Sequence, residues 1–239
     1  MPGASDKDLR FQLALGGRIL AYVGQADAIM GFAGARASEG ASFWMKPMTL
    51  GLDEVRPGDL LRIGYDGKVL EGEGRPHNEW VFFAALFRDH PEHSAAVHTH
   101  APFCLAVAAQ GRTIEPFDQF GTHFFAHGVP LFEESPDRVY TFELAGAILR
   151  RMGGCPAVII SYHGILTAGR SVREATMRAV FLEKAAQTQL LAYQGGGARP
   201  LSRELARGLG RNVPYDLLHE FYWNYYERRL RAEDPGFFA

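Results

Sequence analysis

The residues best suited to chemistry are a pair of histidines two positions apart, in Val97-His98-Thr99-His100. Residues i and i+2 of a strand point to the same face, so both imidazoles can reach one ion. His163 follows the apolar run Ala157 to Ile160 and precedes Gly164. A histidine at the end of a buried strand, with a glycine opening space beside it, is placed to complete a set of three nitrogens. Three protein ligands with one open position mark a catalytic metal site, and imidazole suits zinc, iron, manganese, cobalt or copper. Spacing alone leaves His163 open to the plainer reading of a hydrogen-bonded strand-end histidine. Glu79 opens a helix after Pro76-His77-Asn78. The helix dipole favours a carboxylate there; the other reading is a carboxylate facing the metal as ligand or acid/base group. His90, His93, His127 and His219 lie in polar or loop contexts and read as structural or solvated.

The elements that must position these groups follow from periodicity and punctuation. Capping types Ser5 and Asp6 precede Leu9, Leu13, Ile19, Leu20 and Val23, an amphipathic helical pattern. Gly31 to Gly40 reads as a glycine-rich loop, and Ser42 to Lys46 as a strand stopped by Pro47. Asp59 to Ile63 and Lys68 to Leu70 flank Asp66-Gly67 as a hairpin. Asn78 to Arg88 reads as helix, Ala95 to Thr99 as a buried strand, and Phe103 to Ala109 as helix. Gly111 to Pro130 is aromatic and irregular. Helix 138–151, strand 157–161 and a long helix from Val172 to about Tyr193 follow. Gly195-Gly196-Gly197 closes that helix, with two short helical segments beyond it. Strands and helices mix without a nucleotide-binding glycine fingerprint, so the pattern predicts an α/β fold, a single α/β/α layered domain.

Composition narrows the partners. The chain has 239 residues, 25 basic and 27 acidic, and no basic stripe of the kind a nucleic acid or anionic membrane requires. No segment approaches the ~20 apolar residues that span a bilayer, and Met1 to Arg10 lacks an apolar signal core. Two cysteines, Cys104 and Cys155, sit in apolar contexts and do not form a disulfide framework. A soluble, cytoplasmic protein without nucleic-acid or membrane partners is expected.

At the candidate site the sequence resembles the class II aldolase/adducin family. The matching residues are Glu71-Gly72-Glu73-Gly74-Arg75-Pro76-His77-Asn78-Glu79-Trp80, His98-Thr99-His100-Ala101 and His163-Gly164-Ile165-Leu166. Val172-Arg173-Glu174-Ala175 and Leu182-Glu183-Lys184 continue the match over roughly residues 8 to 195. The resemblance implies a central, mainly antiparallel or mixed sheet in residues 1–195. Residues 196–239 are then a C-terminal helical extension packing on the same domain or on a neighbouring subunit. It further implies a homo-oligomer, commonly a tetramer. A divalent ion (Zn, Mn, Fe or Co) would be held by His98, His100 and His163, with Glu79 as the catalytic glutamate that can also ligate.

The phosphate-binding residues of the family's sugar-phosphate aldolases are replaced here. His77-Asn78 stands for a serine pair, Gly34-Ala35 for a Gly-Asn turn, and Lys46-Pro47-Met48-Thr49 for Thr-Pro-Ser-Gly. Phosphate needs several converging N–H and O–H donors. Lys46, Arg75, His77 and Asn78, with Phe117, Phe120, Phe124 and Phe125 nearby, suit a flat or apolar small-molecule carboxylate. The expected function is a metal-dependent carbon–carbon lyase, first a decarboxylase of a hydroxylated aromatic or heteroaromatic acid through a metal-stabilised enolate-like intermediate. The alternatives are an aldolase for a non-phosphorylated hydroxy-oxo acid, a non-haem iron oxygenase on the same histidines, and a non-catalytic adducin-like binding module. Glu79, His123, Asp118 and a neighbour's Tyr222, Tyr225 or Tyr226 are the candidate proton donors. Glu183 shares a helix stripe with Val172, Thr176 and Ala179 and is expected to point inward.

Overall fold

A computed structural model describes residues 5–125 and 128–239. His127, read above as structural or solvated, lies outside the described residues. Helix α1 (Asp6–Tyr22) begins where the Ser5 hydroxyl accepts the N–H of Asp8, as capping chemistry requires. Strands β1 (Phe32–Arg36) and β2 (Ser42–Met45) follow, then β3 (Leu61–Gly64) and β4 (Val69–Glu71). Helix α2 (Trp80–Asp89), strand β5 (Ala95–Thr99) and helix α3 (Pro102–Ala108) carry the chain through the histidine pair. Next come α4 (Gln119–Phe125), β6 (Leu131–Phe132), α5 (Phe142–Met152), β7 (Ala157–Ile160) and β8 (Gly164–Gly169). The long α6 (Val172–Gln194), then α7 (Arg203–Asn212) and α8 (Tyr215–Glu233), complete the fold.

The strands form one eight-stranded sheet in the order β4-β3-β2-β1-β5-β8-β7-β6. Every neighbouring pair is antiparallel except β6 with β7, which is the mixed sheet expected. Alternate residues of β5 divide between two cores. Ala95 and Val97 join the layer of α1, α3, α6 and α8, whereas Ala96 joins that of α2 and α5. His98 follows the same alternation and packs against Phe82 of α2.

Four local expectations are corrected. Gly31 to Gly40 is not simply loop: it contains β1, whose small residues read as loop because large ones cannot fit. A Cβ on Gly34 would stand 2.5 Å from the Phe83 ring, so the small residue follows from tight packing on α2. The irregular stretch before Pro130 contains α4. Strand β8, bounded by Gly164 and Gly169, replaces an expected connection into α6. The last segment is one helix of 19 residues, not a short one. Its aromatic run divides: Trp223 and Tyr226 are buried in the same core as α1 and α6, while Phe221 and Tyr225 are exposed. Among the described residues no helix is long and apolar enough to cross a membrane.

Candidate metal centre

His98 is the penultimate residue of β5, His100 follows one residue past that strand, and His163 comes from the β7–β8 turn. The turn requires Tyr162 to adopt a left-handed backbone, φ 61°, a conformation uncommon for residues with a Cβ. It also requires Gly164, whose Cβ would lie 2.5 Å from the Thr99 carbonyl oxygen and 3.1–3.2 Å from the His98 and His100 rings. The glycine therefore lets β8 approach closely enough for the third imidazole to join the pair. Ligand nitrogens of His98, His100 and His163 all lie within 4.8 Å of one another.

The outer nitrogens are already held. His98 Nδ1 faces the Ile165 carbonyl at 2.9 Å, and His100 Nδ1 faces the Asp27 carboxylate at 2.7 Å. Each contact keeps the proton on Nδ1 and leaves the Nε2 lone pair facing inward, the arrangement by which proteins orient metal-bound histidines. Among the described residues, Nε2 of His98 and of His100 is buried with no hydrogen-bond partner. Burial, against the opposing pull of Glu79, lowers the His98 pKa to about 3, so this ring is neutral at pH 7. Three converging imidazoles, two with orphaned inward nitrogens, fit a divalent ion.

Glu79 sits beside them, 1% exposed. Its Oε1 accepts the Val139 N–H at 2.7 Å and lies 3.3 Å from His163 Nε2; its Oε2 is 3.9 Å from His98 Nε2. Burial alone would raise its pKa. The His163 hydrogen bond, the electrostatic influence of the neighbouring imidazoles and the Val139 N–H outweigh that and bring it to about 2. Glu79 is thus an ionised carboxylate in the geometry of a ligand or a base, and it makes no side-chain cap to α2.

The other expected residues separate. His77 is buried against the Phe32 ring at 4.4 Å, and its Nδ1 accepts the Glu79 N–H. Burial lowers its pKa to about 4, so it is neutral with its proton on Nε2. Arg75 is exposed and donates to Asn78 Oδ1 at 3.0 Å, joining those two next to His77. Lys46 is buried, with Nζ donating to the carbonyls of Ile29 and Leu50 at 2.7 Å each. That ammonium is occupied by backbone, and burial lowers its pKa to about 8. His123 packs on Tyr215 and His219, and Tyr222 on Phe120 and Phe181, in the α6–α8 layer. Within one chain neither joins Glu79. Phe120 and Phe124 are likewise core packing. Gly34-Ala35, matched above to a turn, lies inside β1, and the left-handed glycine nearby is Gly31. Sequence reasoning missed Asp27, Phe32 and the Val139 N–H; only Asp27 had a polar identity that could have signalled it.

The Class II Aldolase and Adducin N-terminal domain family matches residues 11–190. The chain is 32% identical to the 3,4-dihydroxyphthalate decarboxylase of Arthrobacter keyseri over 79% of this chain and 80% of that protein. It is 28% identical to a 4-hydroxy-3-prenylphenylpyruvate oxygenase/4-hydroxy-3-prenylbenzoate synthase of Streptomyces roseochromogenus subsp. oscitans, over 92% and 79% of the two chains. Its fold superposes on the L-fuculose 1-phosphate aldolase of Glaciozyma antarctica PI12 with a TM-score of 0.85 at 24% identity, covering 96% of this chain and 91% of that one. An enzyme of the lyase type is what these findings describe, and by its matched domain and fold the chain belongs to the class II aldolase and adducin family.

Proposed function

We propose that this lyase decarboxylates a hydroxylated aromatic carboxylic acid, using a divalent ion on His98, His100 and His163. The observation that carries the substrate class is the setting of Glu79. Its sequence neighbour His77 is an imidazole seated on Phe32, and Lys46 is committed to two backbone carbonyls. A wall of rings with one buried N–H donor suits a flat acid better than a phosphate dianion, which needs several converging donors. Similarity to a dihydroxyphthalate decarboxylase supports the same class.

When bound, the ion supplies a Lewis acid that stabilises negative charge developing next to a carboxylate or carbonyl. Glu79, ionised at neutral pH, takes the proton of the ring hydroxyl and returns it to the ring carbon bearing the carboxylate. The bond to that carboxylate then breaks, carbon dioxide leaves, and the resulting phenolate takes one proton from solvent. His77 donates from Nε2 and orients the acid, with Arg75 and Asn78 at the entrance. Proton transfer by a positioned group of this kind contributes roughly 10²–10⁴ in rate.

The test is carbon dioxide release from 3,4-dihydroxyphthalate and a panel of hydroxybenzoates by protein of measured metal content. Release that requires metal and tolerates strict exclusion of oxygen supports the proposal. Turnover of a hydroxybenzoate precursor only with oxygen would favour the oxygenase reading, for which the second relative speaks. Aldehyde release from a hydroxy-oxo acid, without carbon dioxide, would favour the aldolase. Protein that binds no metal would favour the non-catalytic module.

A further inference from the structure

A second polar site lies away from this chemistry. A cavity of about 340 Å³ opens among His93, His123, Arg178, Tyr215 and His219. His93 precedes β5 (Ala95–Thr99), at the opposite end of that strand from His98 and His100. His219, read from sequence as structural or solvated, is 2% exposed on α8 and rests on Phe181.

The buried carboxylate at this cavity, Glu174, is fully engaged. Glu174 Oε2 accepts the Arg170 N–H at 2.7 Å and its Nε at 3.2 Å, and Oε1 meets Arg178 at 2.7 Å and Arg170 at 3.4 Å. Those four contacts fill the roughly four lone-pair sites of a carboxylate. Asp216 meets Arg170 through both oxygens, at 2.9 and 3.1 Å. Ligand atoms of Glu174, Asp216 and His219 lie within 4.8 Å of one another, yet a cation would have to displace a guanidinium to reach Glu174. Two N–H donors at the cavity, Arg178 Nε–H and the one N–H of the neutral His219 ring, lack an acceptor among the described residues. Among the described residues, Arg178 Nε and both ring nitrogens of His219 are buried with no hydrogen-bond partner. Leaving a buried donor unmade is costly, and an N–H can be satisfied only by an acceptor.

We propose that this cavity is a second small-molecule site that takes a small oxyanion, a carboxylate or a phosphate, through Arg178 and His219. Two guanidiniums balanced by two carboxylates leave the surroundings near neutral, so hydrogen bonds do most of the binding and the affinity is about millimolar. Because Arg178 belongs to α6 and His219 to α8, the occupant ties the C-terminal helix to the body of the fold.

Equilibrium dialysis of the metal-loaded protein against radiolabelled phosphate, and separately against radiolabelled acetate, tests this. One saturable equivalent per chain is expected, retained in His98→Ala and weakened roughly tenfold or more in His219→Phe and in Arg178→Lys, with circular dichroism unchanged. Whichever arm binds identifies the oxyanion. Hydrogen exchange on the unmutated protein is the second measurement, and the ligand should slow exchange in the first turns of α8. The proposal is overturned by no saturable binding of either anion up to ~10 mM, or by binding unchanged in both variants. Unaltered exchange in α8 at saturation overturns it too. So does a second divalent ion per chain that His219→Phe alone removes, which would make the site cationic.

Discussion

A Cβ on Gly164 would stand 2.5 Å from the carbonyl oxygen of Thr99, so the approach of β8 to β5 at the histidine cluster depends on one missing methyl group. Gly164→Ala must push the strands apart between His98 and His163. Overpacking of this kind costs about 1–3 kcal/mol. The expected outcome is a folded protein with lower melting temperature and weakened metal retention, read by calorimetry and by metal content after dialysis. Full metal occupancy and an unchanged melting temperature would show that the close approach is not required.

Glu183 is buried at 6% exposure, as its helix stripe predicts, and its two oxygens accept the N–H groups of Phe103 and Cys104 at 2.8 and 2.9 Å. It thereby anchors the first turn of α3, which begins two residues beyond His100. Glu183→Ala leaves two helix-start donors without that partner, at a cost of about 1–3 kcal/mol, or about 2–4 °C in melting temperature per kcal/mol for a chain of this size. Glu183→Gln keeps one acceptor oxygen and should fall between. Thermal unfolding of both variants checks the order; a Gln variant weaker than the Ala variant would contradict the capping account.

Much of the site was legible because its groups obey strand geometry. The i, i+2 spacing of His98 and His100 fixes their common direction, and β5 was bounded correctly because Ala95 to Val97 is uniformly apolar and buried. The rest depended on tertiary packing. The Phe-Ala-Gly-Ala-Arg sequence of β1 lacks β-branched residues, and Phe83 occupies the space above Gly34, so a central strand resembles a loop. Asp27 reaches His100 from 73 residues away, and no local period encodes such a distance. Lys46 read as a substrate cation, but the fold folds it back onto Ile29 and Leu50.

The C-terminal aromatic run should mediate self-association. Trp223 and Tyr226 fill the chain's own core, whereas Phe221 and Tyr225 are 56% and 48% exposed, with Leu217 also exposed one turn earlier. An apolar stripe of this kind marks an interaction surface, and a homo-oligomer is the expected state. Sedimentation should give an assembly larger than one chain, and Phe221→Asp should shift it toward monomer. A monodisperse wild-type monomer at micromolar concentration would rule this out.

Glu174 ties stability to acid. Burial raises its pKa, but Arg178 and Arg170 outweigh that and hold the folded-state value below the ordinary 4.5. A depressed carboxylate pKa contributes stability that is fully present above the unfolded value and lost as pH falls through the folded one. Glu174→Gln should therefore destabilise at pH 7, with the gap from wild type shrinking below about pH 4.5. Denaturant titrations at several pH values measure it; a gap that stays constant into acid would mean the ion pairs contribute nothing.

Glu79→Gln separates chemistry from architecture. The amide oxygen of Gln can still accept the Val139 N–H that Glu79 Oε1 accepts at 2.7 Å, so the start of α2 and the three imidazoles should remain in place. What disappears is the carboxylate beside His163 and His98, held ionised in the native protein by a pKa of about 2. Without it the site has no group there to take and return a proton, a capacity worth ~10²–10⁴ in rate. The loss should appear in kcat rather than in KM, since the substitution leaves His77 and Arg75, the proposed substrate contacts, in place. Metal content must be measured alongside, because a fall in both metal and turnover would make Glu79 chiefly a ligand. Near wild-type turnover by metal-replete Glu79→Gln protein would remove Glu79 from the chemistry and leave the three-histidine centre standing.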